Sequence, residues 1–477
     1  MSDSLCNLLS KSVDCLYTSL LYLTNWPLAV LLLLGGAYFT FRTRFVQFRL
    51  PDIIRAIGEK PLQKGAISSF GALMVSTASR VGSGNIIGVS TAICIGGAGA
   101  VFWMWICAVI GGASAFVEST LAQIYKRRNP DGSSYGGPAY YIESVLHSRF
   151  LAMLFTLALI FTFGVGYNML ASYNLQSSFA HFSFYKPDVT NWHFGIVTAI
   201  LFGICVMGGS RWIARTTGIL VPVMGALYVL LALTAMGINF KALPGMFVNI
   251  FESAFDFKAI FGGFSGSVIM LGMKRGLYSN EAGIGSAPNA AASADVAHPV
   301  KQGMVQVFSV FLDTLIICSA TAFMCLSSGV PNAAKDAGAP YVQKAMVATF
   351  GEIGPIFVAA CMLLFAFTTL LGNFFYVENA LGYLCGKTPG KRVLYPVRFI
   401  GTILVAVGAG IQMSVVWNIS DIAQCILAFI NIPVCIIIGS RAYVALDDYI
   451  RQKKAGKAPV FNAASAGLKE ETDFWKE

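Results

Sequence analysis

The sequence predicts an all-α polytopic membrane protein with about 11 transmembrane helices. Three observations carry that prediction. Only 12% of the 477 residues are charged, against about 25% in an average soluble domain. Hydrophobic residues make up 56%, and the mean hydropathy is +0.68. Apolar runs of the roughly 20 residues that cross a bilayer recur from one end of the chain to the other.

The spans follow in order. The first, near 18–41, is an apolar run closed by Arg42 and Arg44. The second (68–96) and third (98–125) are rich in glycine, and between Ala66 and Tyr125 the only charged side chains are Arg80 and Glu118. Runs at 150–175, 190–208 and 216–237 supply the next three. The seventh (255–283) is broken near 262-GGFSG-266, and the eighth (301–328) contains Asp313. The ninth (352–380) has a polar middle, and runs at 394–414 and 417–440 complete the set. The basic segments are Arg42–Lys64, Lys126–Arg128, Arg211–Arg215, Lys387–Arg398 and the tail from Arg441. All fall on one side if the N-terminus is outside and the C-terminus cytoplasmic, as the positive-inside bias requires. The net charge of +10 is therefore read as loop charge at a lipid bilayer, with no nucleic-acid partner. The cysteines form no CxxC pair, and the start of the chain lacks a basic n-region.

Two spans are interrupted, one in each half. Gly82-Ser83-Gly84-Asn85 breaks the second, and the GGFSG run breaks the seventh. A glycine costs about 1 kcal/mol in a helix interior, so clusters suggest a helix that stops and restarts. Isolated glycines in membrane helices mark close packing instead, the reading that suits Gly96-Gly97, Gly111-Gly112 and Gly354. The two breaks lie five spans apart, and an odd count reverses direction. Spans 2–6 and 7–11 thus have the layout of a 5+5 inverted repeat with one extra N-terminal helix. The expected units are 1–66 (extra helix and basic cytoplasmic loop), 67–240 and 241–442 (five-helix repeats) and 443–477 (a polar, loosely ordered cytoplasmic tail). Unwound backbone at bilayer depth offers amides to a carboxylate and carbonyls to a cation. Adjacent hydroxyls at Thr368 and Thr369 suit either a small cation or their own helix carbonyls.

Several stretches resemble the alanine or glycine:cation symporter family, also called the sodium:alanine symporters. They are VGSGNIIGVSTA (81–92), GAGAVFWMW (97–105), GGPAYYI (136–142), RGLYSNEAGIGSAPNAAA (275–292), FLDTLIICSATA (311–322) and FAFTTLLGN (365–373). The resemblance implies a leucine-transporter-type fold. It implies that amides of Gly82, Ser83, Gly84 and Asn85 cradle an amino-acid carboxylate. Carbonyls around Gly263, Phe264, Ser265 and Gly266 would accept the ammonium. A sodium site would use carbonyls of Ala78 and Val81 with Thr368 and Thr369. Sodium is the coupling ion, no other cofactor or metal is implied, and a monomer is expected.

Arg80 stands where many members of the family carry a small polar residue. Three readings compete: it bonds a substrate carboxylate, replaces a second sodium ion, or pairs with Glu118, Asp313 or Glu378. Charges at bilayer depth are costly, so Glu118 and Asp313 are either coupling groups or counter-ions to Arg80, Lys274 or Arg275. Arg275, Asn280 and Glu281, at the inner end of the seventh span, read as a cytoplasmic gate or a helix-end charge set. The functional expectation is a symporter, not an enzyme, importing alanine or glycine with Na⁺ by alternating access. Its rivals are a proton-coupled carrier, with Arg80 replacing a cation, and a channel.

Overall fold

The computed structural model describes residues 11–475 apart from 14, 16–17, 21–22, 64–65, 130–131, 257–266, 388, 469 and 471. In chain order its first helices are α1 (Trp26–Arg42), α2 (Leu50–Ile57), α3 (Ser69–Arg80), α4 (Gly84–Gly96) and α5 (Ala100–Ile124). Then come α6 (Pro138–Leu146), α7 (Arg149–Ser177), α8 (Pro187–Met207), α9 (Ser210–Ile238) and α10 (Leu243–Ala254). The second half has α11 (Val268–Asn280), α12 (Ala287–Ala291), α13 (Pro299–Ser327), α14 (Ala339–Phe350) and α15 (Ile353–Cys385). It closes with α16 (Lys391–Gly410), α17 (Met413–Ile438), α18 (Ser440–Lys454) and α19 (Ala463–Ala466). Eight of the described helices are long and apolar enough to cross a membrane: α5, α7, α8, α9, α13, α15, α16 and α17. They match the third to sixth and eighth to eleventh sequence-predicted spans. The chain is a multi-pass membrane protein.

The first broken span is α3 followed by α4. Ser68 caps the start of α3, its hydroxyl accepting from the Gly71 N–H at 3.0 Å. Val81 leaves helical geometry (φ −76°, ψ 91°), and Gly84–Gly88 form a π-turn. The segment α11–α12 is also discontinuous, at Glu281–Ser286, where Glu281, Gly283 and Gly285 have φ of 54°, 93° and 80°. Glycine suits two of those three left-handed positions.

These broken segments lie side by side and antiparallel. Asp295 N–H donates to Ile67 O at 2.9 Å at one end. Ser79 meets Glu281 in the middle, and Gly84 faces the Tyr278 ring. At the other end Gly96 faces Leu271. Among the described residues the order of elements also recurs. A short helix (α2, α10) precedes each broken pair; then come a long helix (α5, α13), a short one (α6, α14) and three more long ones.

The basic segments share one face. Arg44 pairs with Asp447 (3.0 Å), Arg127 with Asp473 (2.9 Å) and Lys453 with Asp52. Arg398 donates to Met207 O at 3.4 Å, which brings the turn after α8 and the start of α16 to one level.

One expectation needs correction. The tail is not loose. Phe461 N–H donates to Ala297 O (2.9 Å), Trp475 Nε1 donates to Gln123 O (2.8 Å), and Lys126 Nζ lies 4.2 Å from the Phe474 ring centroid. Aromatic residues within a polar stretch anchor it to the bundle. Arg275 and Asn280 lie in the last turns of α11 and Glu281 is its C-cap, and the chain continues through the break into α12.

Candidate substrate and ion site

The break at Gly82 and the one at Glu281–Ser286, which the sequence did not predict (the predicted second break, 262–266, lies outside the described residues), meet inside the bundle, and each is stitched by side chains. At the first, Gly82 N–H donates to Asn85 Oδ1 (2.7 Å), and Asn85 Nδ2 donates to Asp313 Oδ1 (2.6 Å). Asp313 also accepts from the hydroxyls of Ser279 and Thr314 at 2.9 and 2.8 Å. The carbonyl of Asn85 accepts from Thr321 Oγ1 at 2.6 Å. At the second, Glu118 takes the amides of Gly283 (3.4 Å) and Gly285 (3.1 Å) and the side-chain amide of Asn431 (2.7 Å). A carboxylate thus satisfies the donors that unwinding frees.

Glu281 joins the two. Its Oε1 accepts from Ser79 Oγ, the last turn of α3, and its Oε2 from Ser286 Oγ, each at 2.6 Å. Ser79 Oγ also lies 2.7 Å from Asn373 Oδ1 on α15.

α15 passes tightly across the first break. A Cβ at Gly372 would stand 2.5 Å from Ser79 N, and one at Gly82 would collide with Thr369 Oγ1. The structure therefore brings together Ala78, Val81, Gly82, Ser83, Gly84, Asn85 and Thr369. Thr369 Oγ1 is buried with no hydrogen-bond partner among the described residues. Thr368 points elsewhere: its hydroxyl bonds the carbonyls of Leu364 (3.0 Å) and Phe365 (3.1 Å), with Met224 Sδ at 3.3 Å. Gly263, Phe264, Ser265 and Gly266 lie outside the described residues.

On the side away from the basic face, aromatic rings cover the break. Tyr278 packs against Tyr167 and Trp417 with ring centroids 4.9 and 5.0 Å apart. Ser83 Oγ accepts from Asn174 Nδ2 at 3.0 Å and lies 3.5 Å from Tyr278 OH. Above them Asp421 holds Lys274 (3.1 Å) and Arg275 (3.1 Å), and the Arg275 guanidinium sits 4.0 Å over the Trp417 ring. Asn174 Oδ1, Ser172 Oγ and Trp417 Nε1 are buried without partners among the described residues. Such orphans cost about 1–3 kcal/mol each unless a ligand satisfies them.

Arg80 is 1% exposed. Its Nη1 donates to Gln306 Oε1 at 3.1 Å, while Nε and Nη2 have no partner among the described residues. The pairing reading fails for all three acids named for it. Glu378 belongs to Arg398 (2.7 Å), and Glu118 and Asp313 are held by the neutral donors above.

Sequence reasoning missed Asn174, Tyr278, Trp417 and Asp421, and the break at Glu281–Ser286. A signal was present: polar side chains interrupt the apolar run at Tyr167–Ser177, and Tyr278 and Glu281 belong to the RGLYSNEAG stretch.

Unwound backbone and orphaned polar atoms deep in a multi-span bundle are the make-up of a transporter site. The chain belongs to the sodium:alanine symporter family, whose sequence pattern matches residues 9–463. That family consists of transporters, not enzymes. The chain is 39% identical to the probable sodium/glutamine symporter GlnT of Bacillus subtilis, covering 91% of this chain and 90% of that one. It is 38% identical to the amino-acid carrier protein AlsT of the same organism (95% and 96% covered). It is 40% identical to that organism's putative sodium/proton-dependent alanine carrier protein YrbD (95% and 96%). Among solved structures, MhsT in complex with L-phenylalanine aligns with a TM-score of 0.46 at 14% identity, over 81% of this chain and 100% of that one.

Proposed function

We propose that the protein imports a small neutral amino acid, alanine or glycine first, together with Na⁺, by alternating access around the two breaks. The observation that carries this is their meeting at Ser79 and Glu281. In this reading, the backbone of Gly82, Ser83, Gly84 and Asn85 receives the substrate carboxylate, helped by the positive end of α4. Carbonyls of Ala78 and Val81 with Thr369 Oγ1 receive Na⁺. Both ligands then stabilise one conformation of the same break, so each raises the affinity for the other.

The same reading takes the chain as eleven membrane helices in a leucine-transporter-type 5+5 inverted repeat, acting as a monomer. The antiparallel broken segments and the recurring order of elements support it. The basic face is assigned to the cytoplasm, with the N-terminus outside in the plasma membrane. The Asp421–Arg275–Trp417 set then lies between substrate and exterior, as an outer gate. A proton is the alternative coupling ion, favoured by three carboxylates (Glu118, Glu281, Asp313) buried within the bundle.

The test is uptake into proteoliposomes of an amino-acid panel, with Na⁺, Li⁺ and H⁺ gradients imposed separately. Saturable alanine or glycine uptake that needs an inward Na⁺ gradient is expected. Uptake driven by H⁺ alone would move the coupling to the carboxylates. Flux that never saturates would replace the carrier with a channel.

A further inference from the structure

A cavity of about 490 Å³ opens on the basic face, far from the broken segments, between parts of the chain remote in sequence. Arg55 and Glu59 line it from α2 and the turn after it, and Lys301 from the start of α13. Tyr449 and Lys453 of α18 and Lys457 just beyond it close the other side. That volume lies within the range of small-ligand pockets, roughly 300–1,000 Å³.

The charge in it is unbalanced. Four cationic side chains face one carboxylate. Lys301 is taken by Glu59 at 2.6 Å, and Lys453 by Asp52 behind the wall. Arg55 and Lys457 face the cavity from opposite walls with no ion-pair partner among the described residues. Like charges converging on a concave surface focus a positive field, and an anion between them removes the repulsion. A guanidinium on one wall and ammonium groups on the other suit tetrahedral oxyanions, which arginine bonds in bidentate fashion. A phosphate monoester brings about −1.5 to −2 charges at pH 7. The volume exceeds what a bare phosphate fills, so a phosphate carried on a larger body fits.

We propose that this cavity binds a phosphate-bearing anion, and that the bound anion clamps α18 and the tail to α2 and α13. The source is a soluble phosphate compound or the headgroup of an anionic phospholipid, and the chemistry at the protein is the same for both. The tail it secures includes Trp475, bonded to Gln123 O at the end of α5 and packed near Lys126, level with Ala294 after α12. The clamp thus bears on the basic end of the second broken segment. It stands whether or not the transport reading of the breaks is right.

The test uses the full chain in nanodiscs and limited trypsin digestion, following cleavage between Arg451 and Lys457. Pyrophosphate is the soluble probe, and phosphatidylglycerol nanodiscs against pure phosphatidylcholine nanodiscs supply the lipid arm. Sodium chloride of equal ionic strength is the control. A ligand that binds only the docked tail, present at ten times its Kd, slows cleavage about elevenfold. Protection by pyrophosphate in phosphatidylcholine, reduced at least about fivefold in Arg55→Gln, identifies a soluble anion. Protection by phosphatidylglycerol alone, reduced likewise in Arg55→Gln, identifies a headgroup. Equilibrium dialysis of labelled pyrophosphate gives a second reading that does not depend on the protease. The proposal is overturned if neither probe protects beyond the salt control, or if Arg55→Gln is protected as well as wild type.

Discussion

Ser79 Oγ donates to Glu281 Oε1 at 2.6 Å, and through that bond the last turn before one break is fastened to the first residue of the other. Any motion that separates the two broken segments must stretch or exchange it. Hydrogen bonds to a buried charged group contribute about 1.5–3 kcal/mol. Glu281→Gln keeps the shape and removes the charge. Uptake is expected to fall more than about tenfold, equivalent to ~1.4 kcal/mol, while the purified variant stays folded by size-exclusion chromatography. Wild-type uptake in Glu281→Gln would show that the link is passive.

The two adjacent threonines are expected to differ. Thr369 has an orphaned hydroxyl against Gly82, whereas the Thr368 hydroxyl is bonded within its own helix. Thr369→Val should weaken the apparent Na⁺ affinity more than about tenfold, since a lost ligand costs at least ~1.4 kcal/mol. Thr368→Val should change it far less. Measuring the Na⁺ dependence of uptake for both variants decides the matter, and equal effects would refute the geometric distinction.

Gly82 has no room for a methyl group, because a Cβ would meet Thr369 Oγ1. Gly82→Ala is expected to destabilise the protein by about 1–3 kcal/mol, the usual cost of overpacking. Gly82→Ala with Thr369→Ala should recover most of that loss in a thermal melt, although sodium-dependent uptake stays low. Additive losses in the double variant would mean that the two residues do not touch.

Arg80 is a buried cation bonded to Gln306 and in no ion pair with the described acids, in a bundle that also buries Glu118, Glu281 and Asp313. Arg80→Met leaves Glu118, Glu281 and Asp313 with less compensation, so more cations should be drawn in. A steeper dependence of uptake on Na⁺ concentration is expected. Neutralising Glu378 should not rescue any folding defect, since its partner is Arg398. Unaltered steepness in Arg80→Met would reduce the arginine to a packing element.

The tail should loosen in acid. His298 is buried at the start of α13; its Nδ1 accepts from Val300 N–H at 3.3 Å, and its Nε2 lies 3.3 Å from Asp448 Oδ2 on α18. Burial lowers its pKa to about 4, although Asp448 pulls the other way. The unfolded value is near ~6.5, so the neutral ring stabilises the fold above that pH. That contribution is lost as pH falls from about 6.5 towards 4, because the unfolded chain then binds more protons. Between pH 7 and 5 the loss should be about 1–2 kcal/mol. Melts of wild type and His298→Gln across that interval check it, the variant showing the flatter profile.

Hydropathy is a property of contiguous residues, so the amino-acid sequence by itself determined a multi-pass membrane protein and eight of its long helices to within a few residues. The interruption at Gly82 was legible for the same reason: local glycines decide whether a helix continues. The clustering of Lys and Arg in alternate loops foretold a common basic face. The tertiary structure decided which side chains meet. Arg80 had three acids within plausible reach along the chain, but packing gives Glu378 to Arg398 and leaves the guanidinium with Gln306. Thr368 and Thr369 are neighbours of the same chemistry, yet a turn of about 100° per residue sends one to its own helix and the other to Gly82. The tail's anchoring also depended on where Phe461 and Trp475 could reach. Each of these outcomes is a contact between segments tens to hundreds of residues apart, fixed by how the helices face one another rather than by any local pattern.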